Sequence, residues 1–253
     1  MTQATVWPEG HDRVILTEID STLDEAQRRF AQGVSRPTWI LALKQTAARG
    51  RRGRAWAMPA GNFATTLILP TGDPTDRIAL RSFTTSLALF DACVAATGRV
   101  EGLTLKWPND VLLNGGKLAG ILLETLQKGG RVCGASIGVG VNLAAVPATD
   151  SLEPRAVPPV ALASVTGALV APEEFLTFLA AAFARYETQF ATYGFEPIRR
   201  AWLDRAAHLG NEITARTGTS ETRGRFETID ATGQLILTTD AGRQAIAAAD
   251  IYF

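Results

Sequence analysis

Short apolar segments separated by turn signals dominate about the first 145 residues, and this pattern predicts a sheet with few helices. Thr22 followed by Glu25 forms a capping box that predicts a helix over about 23–32. Apolar positions at helical spacing predict a longer helix over 76–97. The remaining apolar runs are predicted strands, over 14–19, 38–44, 63–69, 103–106, 111–113, 117–125 and 131–143.

The turns between the later strands set their direction. Asn114-Gly-Gly116 and the Lys128-Gly-Gly130 turn are too short for a crossover, so the strands they join must be antiparallel. We therefore predict an α+β fold with a mixed, largely antiparallel sheet and helices, and not a doubly wound fold. A Pro/Ala-rich connection over 144–159 leads to predicted helices over 160–166, 172–191 and 196–207.

The sequence pattern changes after His208, from helical spacing of apolar residues to short apolar runs separated by turns. Short strand candidates separated by glycine-containing turns predict a small β-barrel, with strands over 211–216, 222–229, 234–239 and 243–247. The predicted domains are therefore a main domain over 1–207 and a barrel over 208–253.

Composition excludes several classes of protein. The chain has 25 basic and 25 acidic residues and is 46% hydrophobic, which excludes intrinsic disorder and a polyelectrolyte tail. The first ten residues lack a basic and an apolar signal region, and no uncharged stretch approaches a membrane span, so we predict a cytoplasmic protein without a membrane partner. Cys93 and Cys133 lie in apolar runs without metal-ligand spacing, and we predict that both are buried and form no disulfide framework.

The charges are unevenly placed. No Asp or Glu lies between Glu25 and Asp73, and eight cationic residues fall in that window. Four of them belong to Arg49-Gly-Arg-Arg-Gly-Arg54, whose guanidinium groups suit phosphate oxygens and whose glycines permit close backbone approach. On its own, this segment fits phosphate binding, nucleic-acid binding and a solvated mobile loop equally well.

Three other segments combine polar residues with strand ends. Lys106-Trp-Pro-Asn-Asp110 holds a lysine, an amide and a carboxylate, which suits either a ligand site or a structural turn. Lys117 begins an apolar run and can enter a pocket or lie at an exposed strand edge. Gly138-Val-Gly140-Val-Asn142 ends a strand with small residues and an amide, which would suit a planar base packed on the backbone.

Familiar catalytic motifs are incomplete. The sequence contains neither a complete Walker-type phosphate loop nor a complete Gly-x-Gly-x-x-Gly dinucleotide-binding motif. Because the chain has only two histidines, a Ser-His-Asp mechanism is disfavoured. We therefore expect electrostatic chemistry, in which Arg, Lys and Mg²⁺ stabilise charge on phosphate.

Taken in order, these segments resemble the biotin protein ligases over about residues 14 to 253. The resemblance rests on Asp20-Ser-Thr22, Gln45 with the arginine segment and Trp56, Lys106-Trp-Pro-Asn-Asp110, Lys117-Leu-Ala-Gly120 with Glu124, and Gly138-Val-Gly140-Val-Asn142. It implies a class II aminoacyl-tRNA synthetase-like catalytic domain followed by an SH3-like β-barrel.

The resemblance also implies a reaction. Biotin and ATP, with Mg²⁺, would give biotinyl-5′-adenylate and pyrophosphate, and the biotinyl group would pass to a lysine of the biotin carboxyl carrier domain of a carboxylase. Repressor members of this family carry an N-terminal winged helix-turn-helix, but only about a dozen residues precede the first predicted strand, so we expect no DNA binding. A monomer and a homodimer are both compatible with the resemblance.

Site residues carry over from the resemblance by position. The residues expected to contact biotin are Ser21, Thr22, Gln45, Arg49, Lys117 and Gly120. The residues expected to contact ATP or the adenylate are Arg51, Arg54, Trp56, Asn109 and Asn142. Lys117, Arg51 and Asp110 would be catalytic, and no metal ligand is assigned.

Departures and alternatives remain. Ala48 stands where the family has glycine, and Leu23 replaces a polar residue that often follows Ser-Thr. Thr22 has a competing role as a helix cap. A lipoate or octanoate ligase or transferase is the nearest rival, although Gln45 and the arginine segment favour biotin. An RNA-binding protein is disfavoured by sparse aromatic residues in the barrel and a pI near 6.8.

Overall fold

The computed structural model describes residues 5–147, 157–218 and 220–252, and two β-sheets organise them. The main part comprises β1 Asp12–Leu16, α1 Thr22–Ala31, β2 Thr38–Ala42, a 3₁₀ turn Arg51–Gly53, β3 Phe63–Pro70, α2 Thr75–Ala79, α3 Arg81–Thr97, β4 Leu103–Lys106, β5 Asp110–Leu113, β6 Gly116–Lys128, β7 Arg131–Val141, α4 Leu162–Thr166, α5 Pro172–Tyr193 and α6 Phe195–Leu203. The C-terminal part comprises β8 Glu212–Thr217, β9 Ser220–Ile229, β10 Leu235–Thr239, β11 Gly242–Ile246 and β12 Asp250–Tyr252. Of the predicted connection over 144–159, residues 148–156 lie outside the described residues.

The larger sheet is mixed, as predicted. Its strand order is β1-β2-β3-β7-β6-β5-β4, in which β1 and β2 pair in parallel and the other neighbours are antiparallel. The parallel pair needs a crossover, which α1 supplies. The short turns 114–115 and 129–130 join antiparallel neighbours, so the predicted strand directions are confirmed.

Helices cover both faces of this sheet. On one face α3, α5 and α6 enclose a core that includes edge-to-face contacts between Trp39 and Phe183 and between Phe63 and Phe175, with ring centroids 5.6 Å and 5.0 Å apart. On the other face α1 contributes Phe30, which packs near Ile68. Because both faces are covered, every residue of β2 is buried, as expected for a central strand that reads as a continuous apolar run.

The C-terminal part is a five-stranded antiparallel sheet, of order β11-β10-β9-β8-β12, which agrees with the predicted SH3-like module. It shares the apolar core of the main part. The Trp107 indole donates to the Gly233 carbonyl at 3.0 Å. The strand β12, which the sequence did not predict, contacts the main part through the ion pair between Asp250 and Arg52.

The start of α1 corrects the predicted cap. Ser21 has extended dihedrals and its Oγ accepts a 3.5 Å bond from Asp24 N, so Ser21 is the N-cap, whereas Thr22 is already helical. Glu25 does not reach back to the cap, because Arg28 and Arg29 engage its carboxylate at 2.8 Å and 2.7 Å. The Thr22 hydroxyl is therefore available to other partners.

Two further expectations are wrong in part. The helix predicted over 76–97 is divided at Leu80 into α2 and α3, although Leu80 keeps helical dihedrals. The stretch Thr75–Thr97 is long and apolar enough to cross a membrane by length and composition alone, but 67% of its most apolar part is buried inside the protein, as in a core helix. Cys93 is buried as predicted, whereas Cys133 is half-buried.

A buried ion cluster fixes α3 against α5. The Arg81 side chain is 4% exposed and donates to Asp73 at 2.7 Å and to Glu187 at 2.7 Å. Burial opposes ionisation of Asp73, yet the hydrogen bond from Arg81 lowers the pKa of its carboxyl overall. The stability that this carboxylate contributes is therefore present above its ordinary pKa and is lost as the pH falls through the lowered value.

We predict that Glu187→Ala lowers the free energy of unfolding by about 2–3 kcal/mol at pH 7, because the buried Arg81 charge loses its bidentate partner. Urea unfolding measures the loss. Glu212→Ala is the matched control, since its ion pair with Arg223 is exposed and should contribute under about 1 kcal/mol. Equal losses in the two variants would contradict the account.

Candidate active site

A cavity of about 560 Å³ opens on the α1 face of the larger sheet. Its wall comes from the start of α1, the connection between β2 and β3, the turn between β4 and β5, the glycine positions of β6 and β7, and β12. All of the site residues named from the sequence line it: Ser21, Thr22, Gln45, Arg49, Arg51, Arg54, Trp56, Asn109, Asp110, Lys117, Gly120 and Asn142. The fold thus brings them to one place, and their individual roles stay predictions.

A small polar cluster lies at the α1 end of the cavity. Gln45 Oε1 accepts hydrogen bonds from Thr22 N at 2.7 Å and from Thr22 Oγ1 at 3.1 Å. Thr66 Oγ1 donates to the same Thr22 hydroxyl at 2.9 Å. Because Ser21 caps the helix, Thr22 serves this network instead, and the network holds Gln45 against the first turn of α1.

The glycine pair Gly120 and Gly140 forms the floor. These residues face each other in the β6–β7 register, and the Trp56 ring lies across them. A Cβ on Gly140 would lie 2.6 Å from Trp56 Cε2, so only glycine leaves room for the ring in this position. The Lys117 ammonium lies 5.8 Å from the centre of the same ring, within cation–π range.

Arg49 ties the arginine segment to the sheet. Its guanidinium group forms a two-pronged ion pair with Glu124 of β6, and Nη2 also lies 3.0 Å from Asp24 Oδ1 in α1. The hydrogen bonds that Arg49 donates to Glu124 raise the pKa of the guanidinium group above its ordinary value. Arg49 is therefore a permanently charged anchor whose charge is largely balanced by protein carboxylates.

The rest of the segment is held from two sides. Arg51 Nη1 donates to Asn109 Oδ1 at 3.2 Å, whereas Arg52 and Arg54 approach Asp250 Oδ2 at 2.6 Å and 3.5 Å. Burial lowers the pKa of Arg51. Asp250 belongs to β12, so the C-terminal sheet contributes to the cavity wall.

Lysines and one carboxylate complete the charged wall. The Lys117 ammonium lies 2.8 Å from Asp110 Oδ1, although this oxygen has no aligned hydrogen bond. Burial lowers the pKa of Lys106, and the nearby cations Lys117 and Arg51 act in the same direction. Asn109 Nδ2 donates to the Ile121 carbonyl at 2.6 Å, which fixes the turn that carries Asp110.

Two charged lining residues, Lys106 and Asp250, were not assigned a role from the sequence. Lys106 belongs to a motif that the sequence singles out. However, the residues around a lysine at a strand end do not show whether its side chain contacts a ligand or is exposed to solvent. No sequence pattern around Asp250 indicates a site residue, because its ion-pair partners lie about 200 residues away in the chain. Within the described ranges, no group of three or more His, Cys, Asp and Glu side chains could hold a metal ion.

The fold and this cavity define the class of catalytic domain that biotin and lipoate protein ligases share. A model of the biotin/lipoate A/B protein ligase family matches residues 16–142, and a model of the biotin protein ligase C-terminal domain matches residues 208–253. The chain belongs to the biotin/lipoate A/B protein ligase family.

Individual relatives and a solved structure are similar to most of this chain. The chain is 54% identical to biotin–acetyl-CoA-carboxylase ligase of Paracoccus denitrificans over 94% of its own length and 99% of the relative's. It is 30% identical to the bifunctional ligase/repressor BirA of Bacillus subtilis strain 168 over 92% of this chain and 71% of that protein. The fold matches biotin protein ligase from Aquifex aeolicus in complex with biotin and ATP, with TM-score 0.82, 22% identity and coverage of 95% and 98%.

We predict that Asp250→Asn speeds tryptic cleavage within the arginine segment, because the ion pairs that hold Arg52 and Arg54 to β12 are weakened. Mass spectrometry of brief digests measures the rate of cleavage at these arginines. Glu227→Gln is the control, since it removes an ion pair with Arg243 on the C-terminal sheet and leaves the cavity unchanged. Equal cleavage rates in the wild type and Asp250→Asn would contradict the anchoring role.

Proposed function

We propose that this chain is an ATP-dependent biotin protein ligase. It joins biotin to ATP to form biotinyl-5′-adenylate and pyrophosphate, and then transfers the biotinyl group to the acceptor lysine of a biotin carboxyl carrier domain. The observation that carries the proposal is that one cavity holds both a polar cluster suited to a neutral ring and a cationic wall suited to phosphates. The 54% identity to a biotin–acetyl-CoA-carboxylase ligase supports biotin over lipoate or octanoate and over RNA.

The first step brings two anions together. The biotin carboxylate attacks the α-phosphorus of ATP, and the bond to the β-phosphate oxygen breaks to release pyrophosphate. Lys117 and Arg51 offset the repulsion and stabilise the charge that develops on the phosphate oxygens. Asp110 positions the Lys117 ammonium. In the second step the neutral acceptor lysine attacks the carbonyl of the mixed anhydride, AMP leaves, and the attacking nitrogen loses a proton.

The biotin half is assigned to the α1 end of the cavity. Ser21, Thr22 and Gln45 would hold the ureido ring through the hydroxyls and the carboxamide that the Thr22–Gln45 network orients. Arg49 would close this end, and Gly120 would let the acyl chain approach the backbone of β6. Lys117 would contact the biotin carboxylate.

The nucleotide half is assigned to the cationic wall. Arg51 and Arg54 would bind phosphates, and Trp56 would cover the adenine, for which it must leave or share the slot over Gly140. Asn109 and Asn142 would face the nucleotide. Closure of these groups over the adenylate would exclude water from a reactive anhydride.

Mg²⁺ would accompany ATP. Among the described residues, the carboxylates that line the cavity are Asp110 and Asp250, which are too few for a cage made of these side chains alone but fit an ion held mainly by phosphate oxygens. When bound, the ion would neutralise charge on the triphosphate.

The two proposed units, 1–207 and 208–253, have different tasks. The first carries the reacting groups, and the second supplies Asp250 to hold the arginine segment. A cytoplasmic location and the absence of DNA binding stay predictions, as does the choice between a monomer and a homodimer.

We predict that the protein, incubated with biotin, MgATP and an apo biotin carboxyl carrier domain, adds one biotinyl group to that domain. Intact-mass measurement of the acceptor detects the product, and an acceptor with Arg in place of its target lysine is the control. Lipoate and octanoate are supplied in parallel reactions. No mass gain with biotin, or a faster reaction with either fatty acid, would refute the proposal.

We predict that Lys117→Ala slows adenylate formation by about 10²- to 10³-fold in a single turnover, because a cation that stabilises transition-state charge is lost. Quenched-flow detection of biotinyl-5′-adenylate measures the rate. Lys128→Ala removes an exposed lysine of the same strand and should have the wild-type rate. An unchanged rate in Lys117→Ala would remove Lys117 from the catalytic residues.

A further inference from the structure

Asn62 is a buried polar residue that the proposed site does not use. It lies just before β3, is 1% exposed and does not line the cavity. Its Oδ1 accepts hydrogen bonds from Ala144 N and Ala145 N, each at 3.0 Å. Its Nδ2 donates to the Ala145 carbonyl at 2.8 Å and to Asn142 Oδ1 at 3.4 Å. A side chain with four bonds in a buried place has one permitted orientation.

The turn that carries Asn62 is equally constrained. Asn62 N donates to the Pro59 carbonyl at 3.1 Å, and Gly61 has φ +82°, which a residue with a Cβ rarely adopts. A Cβ on Gly61 would also lie 2.9 Å from the Ala144 Cβ. The turn therefore packs closely against the segment that follows β7.

Asn62 selects one of the two orientations of the Asn142 carboxamide. Because Asn62 Nδ2 can only donate, the oxygen of Asn142 must face it. The Asn142 amide nitrogen is thereby directed towards the Lys117 carbonyl, 3.5 Å away. The backbone of Asn142 is fixed as well, since its N donates to Leu118 and its carbonyl accepts from Leu162, at 2.9 Å and 2.8 Å.

We propose that Asn62 is a positioning residue for the nucleotide half of the site. It fixes the Asn142 carboxamide and, through Ala144 and Ala145, the chain that leads to Pro147 on the cavity wall. Asn62 touches neither substrate and acts through Asn142. The inference rests on the proposed function, which assigns Asn142 to the nucleotide.

Because the proposed biotin end and nucleotide end of the cavity are separate, the affinities for biotin and for ATP can be compared to test the proposal. Asn62 has no hydrogen bond to the Thr22–Gln45 network at the biotin end, so a positioning role affects ATP and leaves biotin unaffected. General destabilisation would weaken both ligands. Asn62→Asp is the sharper variant, because its oxygens can still accept from Ala144 N and Ala145 N, while the amide group that donates to Asn142 and to the Ala145 carbonyl is lost.

The experiment measures the dissociation constants of ATP and of biotin separately by isothermal titration, with thermal unfolding as a check on folding. The variants are Asn62→Asp, Asn62→Ala, Asn142→Ala and the double variant Asn62→Ala/Asn142→Ala. Ser86→Ala is the matched control, because it removes a buried hydrogen bond from Trp202 and neither residue lines the cavity. We expect both Asn62 variants to bind ATP about tenfold more weakly and biotin as the wild type does.

The double variant separates action through Asn142 from an independent effect. If Asn62 acts through Asn142, the double variant binds ATP no more weakly than Asn142→Ala alone. Additive losses, an equal loss for biotin, or wild-type ATP affinity in Asn62→Asp would each overturn the inference. Wild-type protein that binds no ATP would instead refute the proposed function, so the two failures are distinguishable.

Discussion

The structure depends on holding several positive charges close together in a half-buried cavity. Arg51, Lys106 and Lys117 share its wall, and the carboxylates of Asp110 and Asp250 line it as well. Burial lowers the pKa of both Arg51 and Lys106, because removing these groups from water makes their charged forms less favourable in free energy. A polyphosphate that enters the cavity would offset that cost, because its negative charge stabilises the charged forms of Arg51 and Lys106.

The fold meets this constraint by anchoring each cation from a different element. Arg49 is fixed by α1 and β6, Arg51 by the turn between β4 and β5, and Arg52 by β12. Each anchor comes from a distant part of the chain, so the cationic wall exists only when both sheets are folded and packed together. The glycine pair on β6 and β7 supplies the flat floor on which a ring lies. These features make the C-terminal sheet part of the site.

The sequence predicts the fold and the site where local patterns decide them. Strand directions followed from short glycine turns, and the site motifs came together because each stands at a strand end or turn on one face of the sheet. The cap was misassigned because Ser21 and Thr22 both carry hydroxyls, and only backbone dihedrals separate the N-cap from the first helical residue. The break at Leu80 has no Gly or Pro to mark it. Asp250 was missed because its ion pairs join residues far apart in the chain, which no local pattern reveals.

The central claim is that the cationic wall is a polyphosphate-binding site, and binding of inorganic tripolyphosphate tests it without adenine or biotin. The measurement is the thermal unfolding midpoint as tripolyphosphate is added at low and high salt, for the wild type and the double variant Lys117→Ala/Arg51→Gly. The account predicts a midpoint that rises with tripolyphosphate in the wild type, rises less at high salt, and rises little in the double variant. A wild-type midpoint that does not move, or an equal rise in the double variant, would contradict it.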